Sequence, residues 1–221
     1  MRNLAIIGSL CVAFGAGAAQ AASNTFDSAN EGWKIGSMDS VADVQGPALW
    51  NPAGYLETLD VASEVAFFAP DSYLGNQGGA YGTTLSFDTF DTQNDGVTYA
   101  ALVFYGAGKA ISIGSLPPAT DHFSHFSFNL TEAGFSEYFG GGIQQSDPIT
   151  EAEFRAVLGD LTAVAFHADW KSGEDDSGLD NVVFQGGPGG VPEPATWAMM
   201  IVGLGGVGLL ARRRRADLAA A

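Results

Sequence analysis

The chain has 221 residues and a formal net charge of −16 at pH 7. Between its two hydrophobic ends, residues 22–187 keep four basic residues (Lys34, Lys109, Arg155 and Lys171) against twenty-three acidic ones, a net charge near −19. Such a body repels nucleic acid and anionic lipid and attracts cations. The one cysteine, Cys11, falls in the leading segment, which excludes a disulfide framework, a thiol nucleophile and a cysteine-based metal site from the body.

In chain order, Arg2 precedes an apolar run from Leu4 to Ala19, and Ala19-Gln20-Ala21 is an A-x-A cleavage site. Residues 1–21 are therefore predicted to be a secretory signal peptide, and the body is predicted to face away from the cytoplasm. The body of about 165 residues fits one domain with a sizeable core. Its pattern is strand upon strand. Residues 54–59 alternate, with Tyr55, Glu57 and Leu59 on one side and Leu56 and Thr58 on the other. Further strands are expected at 64–69, 83–89, 97–105, 109–113, 125–130, 161–170 and 179–185. Within 83–89, Leu85 and Phe87 face one way and Ser86 and Asp88 the other. The near-continuous apolar run 97–105 suits a strand buried on both faces. Gly- and Pro-rich turns separate these segments, and Asp95-Gly96 is expected to make a tight hairpin.

One helix is predicted. Thr150 and Glu153 form a capping box, Phe154, Val157 and Leu158 make an apolar stripe, and Gly159 ends it. Many short strands with glycine-rich turns and one short helix predict a mainly β fold, a jelly-roll β-sandwich with the helix closing one end. Residues 185–191 read as a flexible linker. Pro192-Glu193-Pro194 follows, then seventeen uncharged residues from Ala195 to Ala211, then Arg212, Arg213, Arg214 and Arg215, and a short tail, 216–221. A helix over 195–211 would span about 25 Å, enough for a thin bilayer. Trp197 would lie at the headgroup level and the arginines on the cytoplasmic side.

Two stretches resemble known families. Pro192-Glu193-Pro194, Trp197-Ala198, the glycine-rich apolar span and the terminal arginines resemble the PEP-CTERM sorting signal in its PEPxxWA form. The resemblance implies a bacterial exported protein, recognised in the PEP region by an exosortase and delivered to the surface or outside, often alongside exopolysaccharide. The body resembles the laminin B module, or laminin domain IV, over residues 26–184. The similarity is carried by Phe26-Asp27 with Glu31-Gly32-Trp33, Ala69-Pro70, Tyr73-Leu74-Gly75-Asn76, Ala80-Tyr81-Gly82, Leu158-Gly159-Asp160-Leu161 and Leu179-Asp180-Asn181-Val182. That resemblance implies a jelly-roll sandwich similar to carbohydrate-binding modules, with no catalysis. The flanking cysteine-rich repeats of laminins are absent here.

Candidate chemistry is sparse. Asp175-Asp176 and Asp180-Asn181 offer hard oxygen ligands suited to Ca²⁺, with Asp27 and Asp180 as the pair that would tie the first and last strands together. The alternative is a solvated acidic loop in which Asp180 bonds the backbone of the N-terminal segment. The stretch from Asp91 to Gly96 starts like an EF-hand but has Leu102 where the bidentate Glu belongs, so it is read as a turn. His122, His125 and His167 are the histidines, without a metal-ligating pattern, and no G-x-S-x-G elbow occurs. Trp33, Trp50, Tyr55, Tyr73, Tyr81 and Trp170 could stack on sugar rings if exposed, and Trp50, in a loop-like stretch, is the preferred platform. The expectation is an exported, non-enzymatic surface or matrix protein, adhesive or polysaccharide-associated, with the exosortase and the membrane as its sorting partners and no nucleic acid. The alternatives are a glycan-active hydrolase and a structural domain held as a type I membrane protein.

Overall fold

The computed structural model describes residues 21–59 and 63–186. All but the last residue of the expected signal peptide, the Pro192–Pro194 triplet, Trp197, the 195–211 helix and Arg212–Arg215 lie outside the described residues. Among the described residues no helix is long and apolar enough to cross a membrane.

Five short strands open the fold: β1 (Ala22–Asn24), β2 (Lys34–Ser37), β3 (Val44–Pro47), β4 (Leu49–Asn51) and β5 (Tyr55–Leu59). They are followed by β6 (Val65–Phe68), β7 (Thr84–Asp91), β8 (Tyr99–Gly106), β9 (Lys109–Ser115), β10 (Ser124–Asn129) and β11 (Phe135–Glu137). Helix α1 (Glu151–Leu158), β12 (Leu161–His167) and β13 (Asp176–Phe184) complete it. Two antiparallel sheets result. One runs β10-β7-β13-β5-β4, with β1 added to the far end of β13; the other runs β11-β9-β8-β12-β6-β2-β3. This is the expected sandwich of jelly-roll kind.

The alternation in β5 and β7 decides which face turns inward. Leu56, Leu85, Phe87, Leu179 and Phe184 of the six-stranded sheet are buried against Leu102, Phe104, Val164 and Phe166 of the seven-stranded one. Each such side chain contributes about 1.5–3 kcal/mol by leaving water. Strand β8 is buried on both faces, as its apolar run predicts: Leu102 and Phe104 face the core, while Ala100 and Val103 pack outward with Met38, Ala66 and Tyr138. The N-terminal segment is tied in by aromatics and one amide. Trp33 meets Phe26 and Tyr73 edge-on at 5.6 and 5.4 Å, and Asn24 Oδ1 accepts from Trp33 Nε1 and the Tyr73 hydroxyl at 3.1 and 2.7 Å.

The capping box forms as read. Thr150 N donates to Glu153 Oε2 at 2.9 Å and Glu153 N donates to Thr150 Oγ1 at 3.3 Å. Phe154 then packs on Phe135 and Phe104, so the helix stops one end of the sandwich.

Asp95-Gly96 does not make a tight hairpin. β7 and β8 belong to different sheets, so residues 92–98 form a crossover between layers. Asp95 holds it by accepting from Val97 N at 2.9 Å and the Tyr99 hydroxyl at 2.7 Å. The tight hairpin lies one turn later, where Ala107-Gly108 joins β8 to β9, both residues with positive φ.

Candidate functional site

The predicted candidates fall in separate places. Trp50 lies on the edge strand β4 opposite Leu56, on the inward-facing side, and its Nε1 donates to the Phe26 carbonyl at 2.6 Å. It is 36% exposed, a lid over the N-terminal segment with one open edge. Trp33, Tyr73 and Trp170 are fully buried core residues. Tyr81 donates to Glu132 Oε2 at 2.7 Å and carries the Arg155 guanidinium 3.5 Å above its ring.

The acidic segment before and along β13 divides between the two sides of the sheet. Asp175 is buried and accepts from Trp170 N at 2.9 Å. It also hydrogen-bonds with Asp91, a fully buried carboxyl that accepts from the Ser177 hydroxyl and from Gln93 N. Burial pushes Asp91 up to about 6. Asp91 thus ends β7 as a buried, hydrogen-bonded carboxyl. Asp180 lies on the outer face opposite Asp88, next to a bulge at Asn181. Burial, then the nearby Asp88 and Asp27 charges, raise its carboxyl. The structure therefore brings Asp27 and Asp180 into electrostatic range. Their oxygens are engaged: Asp27 Oδ2 accepts from Thr25 Oγ1 at 2.7 Å, and Asp180 Oδ1 accepts from Asn181 N at 2.7 Å. Among the described residues no three His, Cys, Asp or Glu side chains are arranged to hold a metal ion.

A second polar cluster lies under the Gly140–Gly142 loop. Asp39 Oδ1 accepts from the Tyr138 hydroxyl and Gly141 N at 2.7 and 2.8 Å, and Asp169 Oδ2 accepts from Glu64 N at 2.9 Å. Glu64 Oε2 is buried without a hydrogen-bond partner. Burial, then the Asp169 and Asp39 charges, push Glu64 up to about 7. That is the tuning a general acid needs. A cavity of about 420 Å³ opens here, lined by Glu64 itself with Tyr99, Ile143, Asp169 and Lys171. Glu64 Oε2 itself is turned under Gly142, in the space a Cβ there would fill, while the rest of the residue faces the cavity. His167 lies beneath, fully buried and lowered to about 4 by that burial. Its Nε2 donates to the Asp169 carbonyl, and its ring stacks on Tyr99 at 4.9 Å. This is packing chemistry.

The open surface with both rings and polar groups is the outer face of the six-stranded sheet. Tyr55, Phe90 and Phe123 meet edge-to-face there, with centroids 5.6 Å (Tyr55–Phe90), 5.5 Å (Tyr55–Phe123) and 4.9 Å (Phe90–Phe123) apart. Gly178, on the strand between β5 and β7, is what allows this. A Cβ there would lie 2.1 Å from Phe90 Cε1, so the Phe90 ring lies directly over the bare backbone. Phe123 is 38% exposed. Glu57, Asp88 and Asp180 surround the rings on the same face, with His125 Nδ1 2.6 Å from Asp88 Oδ1. Tyr55 was among the aromatics expected to be available for stacking; Phe90 and Phe123 were not. Phe90 had a sequence signal, because it continues the polar Ser86/Asp88 side of its strand with a ring.

Comparison with known proteins places both ends of this description. The PEP-CTERM protein-sorting motif matches residues 190–215, and it implies export and surface localisation. Among solved structures, the L4b domain of human laminin alpha-2 superposes with a TM-score of 0.60 at 11% identity, covering 76% of this chain and 98% of that one. Looser likenesses include the N-terminal cellulose-binding domain of Cellulomonas fimi β-1,4-glucanase C (TM-score 0.40, 17% identity, 73% of this chain and 93% of that one). The family 11 carbohydrate-binding module of a Clostridium thermocellum cellulosomal cellulase is another (TM-score 0.39, 12% identity, 82% and 96%). The Laminin B (Domain IV) model matches residues 66–198, more than half of the sequence, and the chain belongs to that family.

Proposed function

We propose that this chain is an exported cell-surface or extracellular-matrix protein, sorted by an exosortase through Pro192, Glu193, Pro194, Trp197 and the Arg212–Arg215 cluster. Its sandwich associates with extracellular polysaccharide and performs no chemistry on it. The observation that carries this reading is the pairing of a sorting motif with an open sheet face bearing three aromatic rings beside carboxylates. Aromatic faces stack on the C–H faces of sugar rings, and carboxylates accept from sugar hydroxyls. The carboxyl most like a general acid, Glu64, has one oxygen turned under Gly142, away from the open aromatic face.

The test has two arms. In a host carrying an exosortase, mass spectrometry of the mature protein should find a new C-terminus near Pro192–Pro194, and replacing that triplet with alanines should leave the arginine cluster attached. With a panel of polysaccharides, the protein should be retained without releasing shorter products. Trp50→Ala is the companion variant for the sheet edge, and loss of retention there would move the contact to β4. Release of oligosaccharides from any member of the panel would favour the hydrolase. Retention by none of them would leave a purely structural domain.

A further inference from the structure

We propose that the outer face of the six-stranded sheet, centred on Tyr55, Phe90 and Phe123, binds a polysaccharide rich in unacetylated amino sugar. This rests on the polysaccharide reading above and names the class of polymer.

The aromatic trio supplies the apolar part. Its three rings lie on one face and touch edge-on, and Phe123 is the most open of them. The face runs across β10, β7, β13, β5 and β4. Four strand spacings of about 4.8 Å give about 19 Å, room for a short run of sugars. Gly178 keeps the middle of this track shallow, since its strand contributes no side chain beneath the rings.

Charge selects the polymer. Glu57, Asp88 and Asp180 stand around the rings, with His125 paired to Asp88. Asp180 is already crowded by Asp88 and Asp27. A chain of uronic acids or sulfated sugars would add like charge to this crowd, on a body already near −19. A neutral glycan would gain the stacking without any pairing of charge. A protonated amino sugar would gain both. Its ring lies on the aromatics, its ammonium forms a charge-assisted hydrogen bond with Glu57, and a neighbouring aromatic face adds a cation–π contribution.

The test is calorimetric titration of the full chain in detergent micelles at about pH 6, where an amine is protonated. The probes are a glucosamine hexamer, its fully N-acetylated counterpart, a polyuronate of similar length and a lysine decamer. The glucosamine hexamer should bind at least about tenfold more tightly than the acetylated one, and the polyuronate should not bind. Phe123→Ala should weaken the hexamer about tenfold or more, with far-ultraviolet circular dichroism unchanged and a single cooperative melt retained, because the ring is the most exposed of the three. Glu57→Gln should reduce the preference for the unacetylated hexamer while sparing the acetylated one.

Equal binding of the two hexamers, lost in Phe123→Ala, would overturn the amino-sugar assignment and leave the polysaccharide reading standing. No binding of either hexamer would overturn both. Lysine-decamer binding as tight as that of the glucosamine hexamer and untouched by Phe123→Ala would make the face a general cation-binding surface and refute the site.

Discussion

Glu64 is the carboxyl whose environment departs furthest from its chemistry, and Glu64→Gln exposes that directly. The group is pushed from its ordinary 4.5 to about 7, first by burial and then by Asp169 and Asp39. A carboxyl whose folded-state value is raised adds stability that is fully present below about pH 4.5 and is lost as pH rises through about 7. At about 1.4 kcal/mol per tenfold change in proton affinity, a sealed group would account for about 3 kcal/mol. Glu64 is only partly buried, so solvent screening reduces this to about 1–2 kcal/mol. The amide keeps the shape and removes the charge. Wild type and variant should therefore match in stability near pH 4.5, and the variant should be more stable by about 1–2 kcal/mol near pH 8. Urea unfolding at a series of pH values measures this. The comparison must be a difference between the two proteins. Asp91, raised to about 6, also loses stability as pH rises from its ordinary 3.8, whereas His167, lowered to about 4, loses it as pH falls from 6.5. Both effects are present in both proteins and largely cancel in the difference. A wild type and variant that track each other from acid to alkaline pH would refute the reasoning, as would a variant less stable near pH 8.

Three further substitutions probe the frame. Thr150→Ala removes a helix cap whose hydroxyl accepts from Glu153 N, and should cost about 1 kcal/mol in urea unfolding. Phe154→Ala empties a fully buried site between Phe135 and Phe104 and should cost about 3–5 kcal/mol, a large part of the stability of a domain this size. Gly178→Ala places a methyl under the Phe90 ring, which must swing outward. It should cost about 1–3 kcal/mol in urea unfolding and change the near-ultraviolet circular dichroism of the trio, whereas an unchanged spectrum would mean that the rings do not rest on Gly178.

The fold was legible where hydrophobic period and length agreed. β5, β7, β8 and the capped helix follow from alternation, a continuous apolar run and the Thr150/Glu153 pair. β2, β3 and β4 escaped because strands of three or four residues carry too few positions for a period, and because Gly36, Gly46 and Pro47 read as turn residues. Their pairing is imposed by neighbours: β2 docks on β6 from Lys34↔Phe68 to Ser37↔Val65. The same limit explains Asp95-Gly96. A local turn signal cannot say whether the flanking strands share a sheet, and here Tyr99 and Asp91 are committed to different layers. The aromatic face needed tertiary information of the same kind. Tyr55, Phe90 and Phe123 are separated by more than thirty residues at each step, and only the β7–β13–β5 order puts them together. Trp50 is exposed as its loop-like stretch suggested, but the bond from its Nε1 to the Phe26 carbonyl depends on the folded N-terminal segment and had no sequence signal.

Calcium is decided by the shape of the response, because any divalent salt will stabilise a body near −19 by screening its self-repulsion. A built site behaves differently: stabilisation follows saturation of one Kd and distinguishes calcium from the smaller, octahedral magnesium. Around Asp27 and Asp180 several oxygens already accept hydrogen bonds. Asp180 Oδ2 accepts from Asn181 Nδ2 at 3.2 Å, Asp88 Oδ2 from the same amide at 2.8 Å, and Asp27 Oδ2 from Thr25. A cation would have to displace those bonds, and among the described residues no three acidic side chains are arranged to hold it. At constant ionic strength, calcium and magnesium should therefore raise the melting temperature equally. Asp180→Asn, which removes one charge from the crowd with Asp88 and Asp27, should raise it further in the presence of EDTA. A saturating, calcium-specific rise that vanishes in Asp180→Asn would refute this and make the first and last strands a calcium-clamped pair.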